Sequence, residues 1–317
     1  MRIICLSDTH LTVPENDSRS LFPRQISALG NKGPEFYEAM RREISLAYKT
    51  SVAWIDSHKP WDCLIHFGDV TGGYAERGVS HPSAKSLAQE TVRELRQLAP
   101  NVRFCLGNHD TGYSHPGSLP GSGITMESLS ACQQIFGDLC WSFEDSGILW
   151  LGVCSPIAEY AGRQEEILAL QKQQKTFLKD VLGSWTGKWV LCAHNPFVVK
   201  SLTQELKPHT KRLLRMVAGD YHNPSQWNLV KKIITAPRRF LPDDSAGRTA
   251  LECLSKCTAC PSTAPLWWHG YGLLLIYSGR NKFYTEVVQI EKLEESKSLP
   301  VSSLMRCAWW MIRPQGQ

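Results

Sequence analysis

The chain has 317 residues, 42% hydrophobic and 21% charged, so it is long and apolar enough to bury a full core without disulfide or metal crosslinks. It contains no run of 18 apolar residues, and we therefore expect no membrane-spanning helix. The formal net charge of +5 at pH 7 is mild for this length: it permits an anionic substrate without requiring nucleic acid.

The N-terminus and the cysteines favour a cytoplasmic protein. The opening sequence MRIICLSD becomes polar after a few apolar residues and has no small-residue cleavage site of the kind that follows a secretory signal. Most of the eleven cysteines lie singly in apolar, strand-like runs, where a free thiol behaves as a small hydrophobic residue. We therefore expect a reducing, cytoplasmic environment.

Four strand-like runs each end at Gly, Ser or Ala followed by polar residues. In chain order they are RIICLSDTH, DCLIHFGDV, VRFCLGNHD and KWVLCAHNP. Helical patterns are predicted at 35–58, 83–99 and 163–182. Further strands are predicted at 148–153, 272–277 and 283–290. Strands that alternate with helices indicate an α/β fold with a largely parallel sheet.

Residues 223–265 depart from this pattern. They contain five prolines, basic pairs and three cysteines, which predicts an insertion or small cap on a domain of residues 1–291. Cys253, Cys257 and Cys260 form a C-x3-C-x2-C pattern, which is compatible either with a structural zinc site or with unligated, partly buried thiols.

The C-terminal tail, residues 292–317, is apolar and basic but short. Its sequence is compatible with packing against the body of the protein, with a partner-binding helix, or with weak contact with a membrane surface. Packing against the body is favoured, because stable membrane anchoring requires two signals that so short a stretch lacks.

The polar motifs at the strand ends carry the donors of a metal site. In an open α/β sheet the loops at the carboxyl ends of the strands meet, so we expect the motifs to converge. The donors are Asp8, His10, Asp69, Asn108, His109 and His194. Taken singly, each fits a helix cap or a solvated histidine. Together, carboxylates, imidazoles and an amide oxygen are what divalent ions in phosphoryl chemistry require.

With its motifs D-x-H, GD, GNHD, H and G-x-x-H, the chain resembles the calcineurin-like metallophosphoesterase superfamily. The resemblance runs from residue 1 to about 224 and extends to strands that end near 291. The opening SDTHL and the GNHD motif are most similar to the class III cyclic-nucleotide phosphodiesterase branch. The resemblance implies a four-layer α/β/β/α sandwich with two mixed β-sheets, and metal-assisted hydrolysis of phosphoesters or related anhydrides.

The resemblance also implies residue roles. It places Asp8, His10 and His222 on one divalent ion, Asp69 on both ions, and Asn108 and His194 on the other. His109 would act on the leaving group as general acid, oriented by Asp110, while a hydroxide that bridges the ions attacks phosphorus.

Asp220 departs from the family pattern, because the last motif usually reads GHxH and here reads GDYH. A carboxylate can bind Mn²⁺, Fe²⁺ or Zn²⁺, and the added negative charge favours a harder ion such as Mn²⁺. We interpret Asp220 as a ligand of the second metal. The alternative is a degenerate or single-metal site.

We therefore expect a cytoplasmic phosphodiesterase that uses two divalent ions, with Mn²⁺ favoured over Fe²⁺ or Zn²⁺, on a nucleotide-type or other small phosphorylated substrate. A nuclease would need a longer basic groove than the net charge of +5 suggests. A weakened relative that binds phosphorylated ligands or a protein partner is favoured by Asp220 and disfavoured by His109. The sequence indicates neither the substrate-binding residues nor the oligomeric state.

Overall fold

The computed structural model describes residues 1–11, 33–72, 78–112, 123–220, 227–228, 231–232, 245–263, 272–279 and 282–290. The strands are β1 (Arg2–Leu6), β2 (Cys63–His66), β3 (Val102–Phe104), β4 (Trp141–Asp145), β5 (Ile148–Gly152), β6 (Lys188–Ala193), β7 (Leu213–Ala218), β8 (Cys257–Ala259), β9 (Gly272–Gly279) and β10 (Lys282–Gln289). The helices are α1 (Gly33–Ser57), α2 (Pro82–Leu95), α3 (Asn108–Thr111), α4 (Met126–Phe136), α5 (Ser155–Ala158), α6 (Glu165–Ser184), α7 (Thr203–Leu206) and α8 (Ser245–Ser255). Short 3₁₀ turns cover Gly78–Ser80, Pro196–Lys200 and Lys207–Arg212.

The strands form two five-stranded mixed sheets. Sheet one has the order β10-β9-β1-β2-β3 and sheet two the order β4-β5-β6-β7-β8. In sheet one, β1, β2 and β3 run parallel, and β9 and β10 join in antiparallel orientation. In sheet two, β5 to β8 run parallel and β4 is antiparallel. The inner strands β2 and β5 are buried along their whole length because both of their faces are covered.

Three hydrophobic layers separate the sheets and helices. The layer between the two sheets includes Ile3, Ile65, Trp150, Val190 and Leu274. A second layer packs α1, α2 and α4 on the outer face of sheet one. A third packs α6, α7 and α8 on the outer face of sheet two. This arrangement confirms the predicted four-layer α/β/β/α sandwich.

The structure contains the helices and strands that the sequence predicted from periodicity. It also contains several shorter elements that the sequence did not predict. The predicted helices correspond to α1, α2 and α6, and the three further strands to β5, β9 and β10. The sequence did not predict α4, α5, α7, α8, β4, β7 or β8. Within the segment 223–265, for which the sequence predicts an insertion or a small cap, α8 packs on the outer face of sheet two and β8 pairs in parallel with β7. The division into domains stays a prediction. A strand of only three residues is too short to show a period.

The three cysteines of the C-x3-C-x2-C pattern pack in different layers. Cys253 and Cys257 lie in the core outside sheet two, whereas Cys260 lies between the sheets. All three are free thiols whose pKa is raised above the ordinary value, chiefly by burial. This placement supports unligated thiols over a shared zinc site. The tail 292–317 lies outside the described residues.

Among the described helices, none combines the length and the hydrophobicity needed to cross a membrane.

Helix α6 offers a matched test of the packing outside sheet two. Leu178 on this helix is fully buried, whereas Leu168 is 39% exposed. We expect Leu178→Ala to lower the free energy of unfolding by about 2–5 kcal/mol, because it leaves a cavity in the core. Leu168→Ala should change it by no more than about 0.5 kcal/mol. Urea titrations followed by circular dichroism measure both values, and equal effects would contradict this packing.

Candidate metal centre

The predicted donors meet at the carboxyl ends of the parallel strands. Asp8 and His10 follow β1, Asp69 follows β2, and Asn108 and His109 begin α3 after β3. From sheet two, His194 follows β6 and Asp220 follows β7. The two sheets therefore contribute to a single cluster. His222 lies outside the described residues.

The carboxylate of Asp69 lies at the centre of this cluster. Its Oδ2 is 3.5 Å from Nε2 of His194, 3.7 Å from Nε2 of His10 and 4.0 Å from Nε2 of His109. Two groups of potential ligand atoms, each within 4.8 Å of one another, both include Asp69. One group contains His10 and His109, and the other contains Asp8 and His194.

This grouping differs in two respects from the arrangement that the family resemblance implies. The resemblance assigns Asp8 and His10 to one ion and His194 to the other, whereas Asp8 here lies in the group with His194. The resemblance also makes His109 the general acid, whereas its imidazole here lies within reach of the group that contains His10. Asp8 also remains near its expected partner, because its Oδ1 is 3.9 Å from Nε2 of His10. The assignment of Asp8 to a particular ion stays a prediction.

Four of these donors have left-handed backbone conformations. The φ angles are 51° for Asp8, 45° for His10, 54° for Asp69 and 64° for Asp220. Such a conformation costs a residue other than glycine about 1–3 kcal/mol and persists only where the surroundings enforce it. Backbone hydrogen bonds do so here: Asp8 N donates to Gly68 O at 3.0 Å, and His10 N donates to Asp69 O at 2.9 Å.

Two motif glycines permit the loops to approach one another. A Cβ on Gly107 would collide with the Asp69 carboxylate, and a Cβ on Gly219 would collide with Oγ of Ser7. The Ser7 hydroxyl in turn makes a short hydrogen bond to Oδ2 of Asp8. The glycines of GNHD and GDYH are therefore required by the close packing of the loops around the carboxylates.

Asp110 does not orient the His109 ring, contrary to the prediction. Its carboxylate accepts hydrogen bonds from the backbone N–H groups of Asp69, Val70 and Gly107 at 2.8–2.9 Å. No described residue makes a hydrogen bond to Nδ1 of His109. Burial, and then the charge of Asp69, raise the pKa of Asp110 above its ordinary value. Asp110 instead joins the loop after β2 to the loop after β3.

His109 is the most accessible of the three clustered imidazoles. Its side chain is 22% exposed, compared with 8% for His10 and 2% for His194. The ring meets that of His10 edge-on, with centroids 4.8 Å apart. Its backbone N donates to Oδ1 of Asp69 at 2.9 Å, which fixes the residue against the central carboxylate.

His194 presents one ring nitrogen to the cluster. Its Nδ1 lies 2.6 Å from the carbonyl oxygen of Phe67, to which it donates. Its Nε2 faces the cluster, 3.1 Å from Oδ1 of Asn108. A backbone carbonyl that orients a histidine in this way is typical of metal-binding imidazoles.

The charge of the cluster is shown by the pKa of His194. Burial lowers this pKa, but the carboxylates of Asp69, Asp220 and Asp8 outweigh burial and raise it to about 10. The protonated ring thus compensates an excess of buried negative charge. A divalent cation would supply the same compensation, and the donor set of carboxylates, imidazoles and one amide oxygen suits such an ion. The residues present therefore fit a metal.

Asp220 faces the cluster. Its Oδ1 is 3.7 Å from Nε2 of His194, and its backbone N donates to Oδ2 of Asp8 at 3.2 Å. Its side chain is 33% exposed, more than that of any other carboxylate in the cluster. This placement is compatible with the predicted ligand role, which stays a prediction.

Several supporting residues were not predicted from the sequence. Ser262 Oγ donates to the carbonyl oxygen of Asp8 at 3.0 Å. Asn195 binds Ser155 through its backbone and Glu159 through its side chain, which anchors the loop that carries His194. Burial, and then the charge of Asp220, raise the pKa of Glu159 to about 7. These residues carry no motif, so only their positions in the fold identify them.

His66 was not predicted from the sequence either. It lies in the apolar run CLIHF and is fully buried beside the loop that carries Asp69. A histidine at the end of an apolar run, separated from the GD motif by one residue, was the available signal.

Comparisons with known proteins bear on this cluster. The family model described as calcineurin-like phosphoesterase matches residues 1–208. No curated protein matches the chain significantly. Among solved structures, GAP50, the anchor in the inner membrane complex of Plasmodium, is 12% identical, with 97% of this chain and 94% of that chain covered and a TM-score of 0.43. Vacuolar Protein Sorting 29 from Cryptosporidium parvum is 11% identical, with 92% and 98% covered and a TM-score of 0.30.

At these TM-scores neither structural likeness supports an argument. The family model, in contrast, spans well over half of the 317 residues and contains the loops that carry Asp8, Asp69, Asn108 and His194. The chain therefore belongs to the calcineurin-like phosphoesterase family.

Proposed function

We propose that this protein is a dinuclear metal-dependent phosphodiesterase that hydrolyses a nucleotide-type or other small phosphorylated substrate. The observation that carries the proposal is the shared position of Asp69, whose carboxylate belongs to two groups of potential ligand atoms. A carboxylate that is common to two cation sites is the arrangement that two-metal phosphoryl chemistry requires.

Each residue has a distinct part in this proposal. The ions would be held by Asp8, His10, Asp69, Asn108, His194, Asp220 and His222, with Mn²⁺ favoured over Fe²⁺ or Zn²⁺. When bound, two such ions make a water more acidic and stabilise the attacking and leaving oxygens of an in-line displacement. His109, the accessible imidazole of the cluster, donates a proton to the leaving oxygen. Through its hydrogen bonds, Asp110 fixes the loop that carries Asp69 against the loop that leads to His109.

The preference for a small diester and the cytoplasmic location are part of the same proposal. The first is supported by the SDTHL and GNHD motifs, and by a net charge of only +5. The second is supported by the free thiols, since every cysteine in the described part of the chain is unpaired.

The direct test is a hydrolysis screen of the purified protein with Mn²⁺, Fe²⁺ and Zn²⁺. The substrates are p-nitrophenyl phosphate, bis-p-nitrophenyl phosphate, cyclic nucleotides and single-stranded DNA. We expect turnover of small diesters that Asp69→Asn lowers by about 10³-fold or more, on the order of 4 kcal/mol of transition-state stabilisation. Asp180→Asn, on the exposed face of α6, is the matched control and should retain activity. Near-normal activity and full metal content in Asp69→Asn would contradict the proposal.

Substitution of His109 should lower the rate of hydrolysis without changing metal binding. His109→Ala should keep both ions but lose roughly 10²–10⁴-fold in rate on diesters with a poor leaving group, because the departing oxygen then lacks a proton donor. The loss should be smaller on p-nitrophenyl esters, whose leaving group needs no proton. The exposed His58 provides a control, His58→Ala. Loss of metal from His109→Ala, or equal losses on both substrate types, would remove His109 from this role.

Asp220 should affect one ion selectively. Because it neighbours His194, Asp220→Ala should weaken one of the two binding steps in a metal titration and leave the other near wild type. Asp220→His restores the histidine that is usual in the family, and we expect metal preference to shift toward Zn²⁺, since imidazole replaces a hard oxygen donor. Unchanged titrations for both variants would show that Asp220 is not a ligand, and would favour a weakened, single-metal relative.

A further inference from the structure

A buried histidine beside the cluster has no part in the proposed chemistry. His66 ends β2, its side chain is inaccessible to solvent, and both of its ring nitrogens make contacts. The backbone N–H of Gly68 donates to Nδ1 at 3.1 Å. Nε2 lies 3.3 Å from Oγ1 of Thr9.

The hydrogen-bond pattern fixes the tautomer of His66. Because Gly68 donates to Nδ1, that nitrogen is the acceptor and the proton of the neutral ring lies on Nε2. The Thr9 hydroxyl places its own proton on Val70 O, 2.8 Å away, and can therefore accept from Nε2–H of His66. Burial, and then the charge of His194, lower the pKa of His66 to about 3, so the ring is neutral near pH 7.

The contacts of His66 join two loops that carry metal-binding candidates. Thr9 stands between Asp8 and His10 in the loop after β1, and Gly68 directly precedes Asp69 in the loop after β2. Asp8, His10 and Asp69 all have left-handed backbones, so their conformation depends on how firmly the two loops hold one another.

We propose that His66 is a positioning residue of the metal centre: in its Nε2–H form it links Gly68 to Thr9 and so fixes the relative positions of Asp8, His10 and Asp69. This inference rests on the proposed function, because it assumes that these three side chains bind metal. His66 is not one of the proposed ligands, and it acts through its contacts with Thr9 and Gly68 in the two loops.

A residue that only filled space would behave differently. The His66 ring stacks on Phe104 with centroids 5.9 Å apart, so it also contributes to the core. If packing were its whole role, substitutions would change thermal stability without changing metal affinity. Partners in the second layer around a metal typically change metal affinity by about 10–100-fold when they are lost.

Two substitutions separate the two hydrogen bonds of His66. The amide of Gln reaches the place of Nε2 and can donate to Thr9, whereas the amide oxygen of Asn reaches the place of Nδ1 and can accept from Gly68. We expect His66→Asn to weaken Mn²⁺ binding by about 10–100-fold, measured by calorimetric titration of the metal-free protein. His66→Gln should weaken it less, because the link between the loops is retained.

Substitutions at Thr9 give a second pair of variants, which leave the buried imidazole of His66 unchanged. Thr9→Val removes the hydroxyl at nearly constant volume and should weaken Mn²⁺ binding in the same direction as His66→Asn. Thr9→Ser keeps the hydroxyl and should restore wild-type affinity. This pair decides the question if the His66 variants fail to fold. Thermal melting of each variant provides the folding control.

A readout without metal completes the test. Nitrogen-15 NMR of the metal-free protein should show His66 protonated at Nε2 and unprotonated at Nδ1. The opposite tautomer, or wild-type Mn²⁺ affinity in folded Thr9→Val and His66→Asn, would overturn the inference while leaving the proposed function intact. A wild-type protein that binds no Mn²⁺, Fe²⁺ or Zn²⁺ would overturn both, even with the expected tautomer.

Discussion

The structure depends on one buried carboxylate and on the backbone that holds it. Asp69 is almost inaccessible to solvent and is surrounded by imidazoles of His10, His109 and His194 at 3.5–4.0 Å. Leaving a carboxylate uncompensated in such a place costs several kcal/mol, so the site must provide positive charge. Against the effect of burial, the carboxylates of the cluster raise the pKa of His194, and divalent ions would provide positive charge at this place.

The fold explains how such a cluster is assembled. Parallel strands of both sheets end at the same edge, and the first residues after those strands lie close together there. Close approach then imposes glycine where a side chain would collide, and left-handed conformations on the donors themselves. The strain is offset by hydrogen bonds between the loops, which include the Asp110 carboxylate and the His66–Thr9 contact. Residues outside the motifs thus determine where the motif residues lie.

The sequence predicted the helices and strands that have a clear hydrophobic period. It also predicted the site residues that belong to a series of motifs in a fixed order along the chain. The apolar strands ending in SDTH, GD, GNHD and AHNP predicted an α/β fold and the convergence of the donors, and the family resemblance implied the order of the layers. The sequence did not predict β8, because Cys257–Ala259 is too short to show alternation. The family resemblance implied that Asp110 orients His109, and adjacency in sequence does not determine the direction of a carboxylate in a one-turn helix. In the sequence His66 resembles an ordinary core residue, because its two hydrogen bonds arise only from the tertiary structure.

The central claim is that Asp69 is shared by two divalent ions. Anomalous diffraction from crystals of the protein saturated with Mn²⁺ tests it most directly, because each ion gives its own peak and each ligand is identified. We expect two peaks with the carboxylate of Asp69 between them, and with His194 and His10 on opposite sides. A single peak, or two peaks of which only one contacts Asp69, would contradict it.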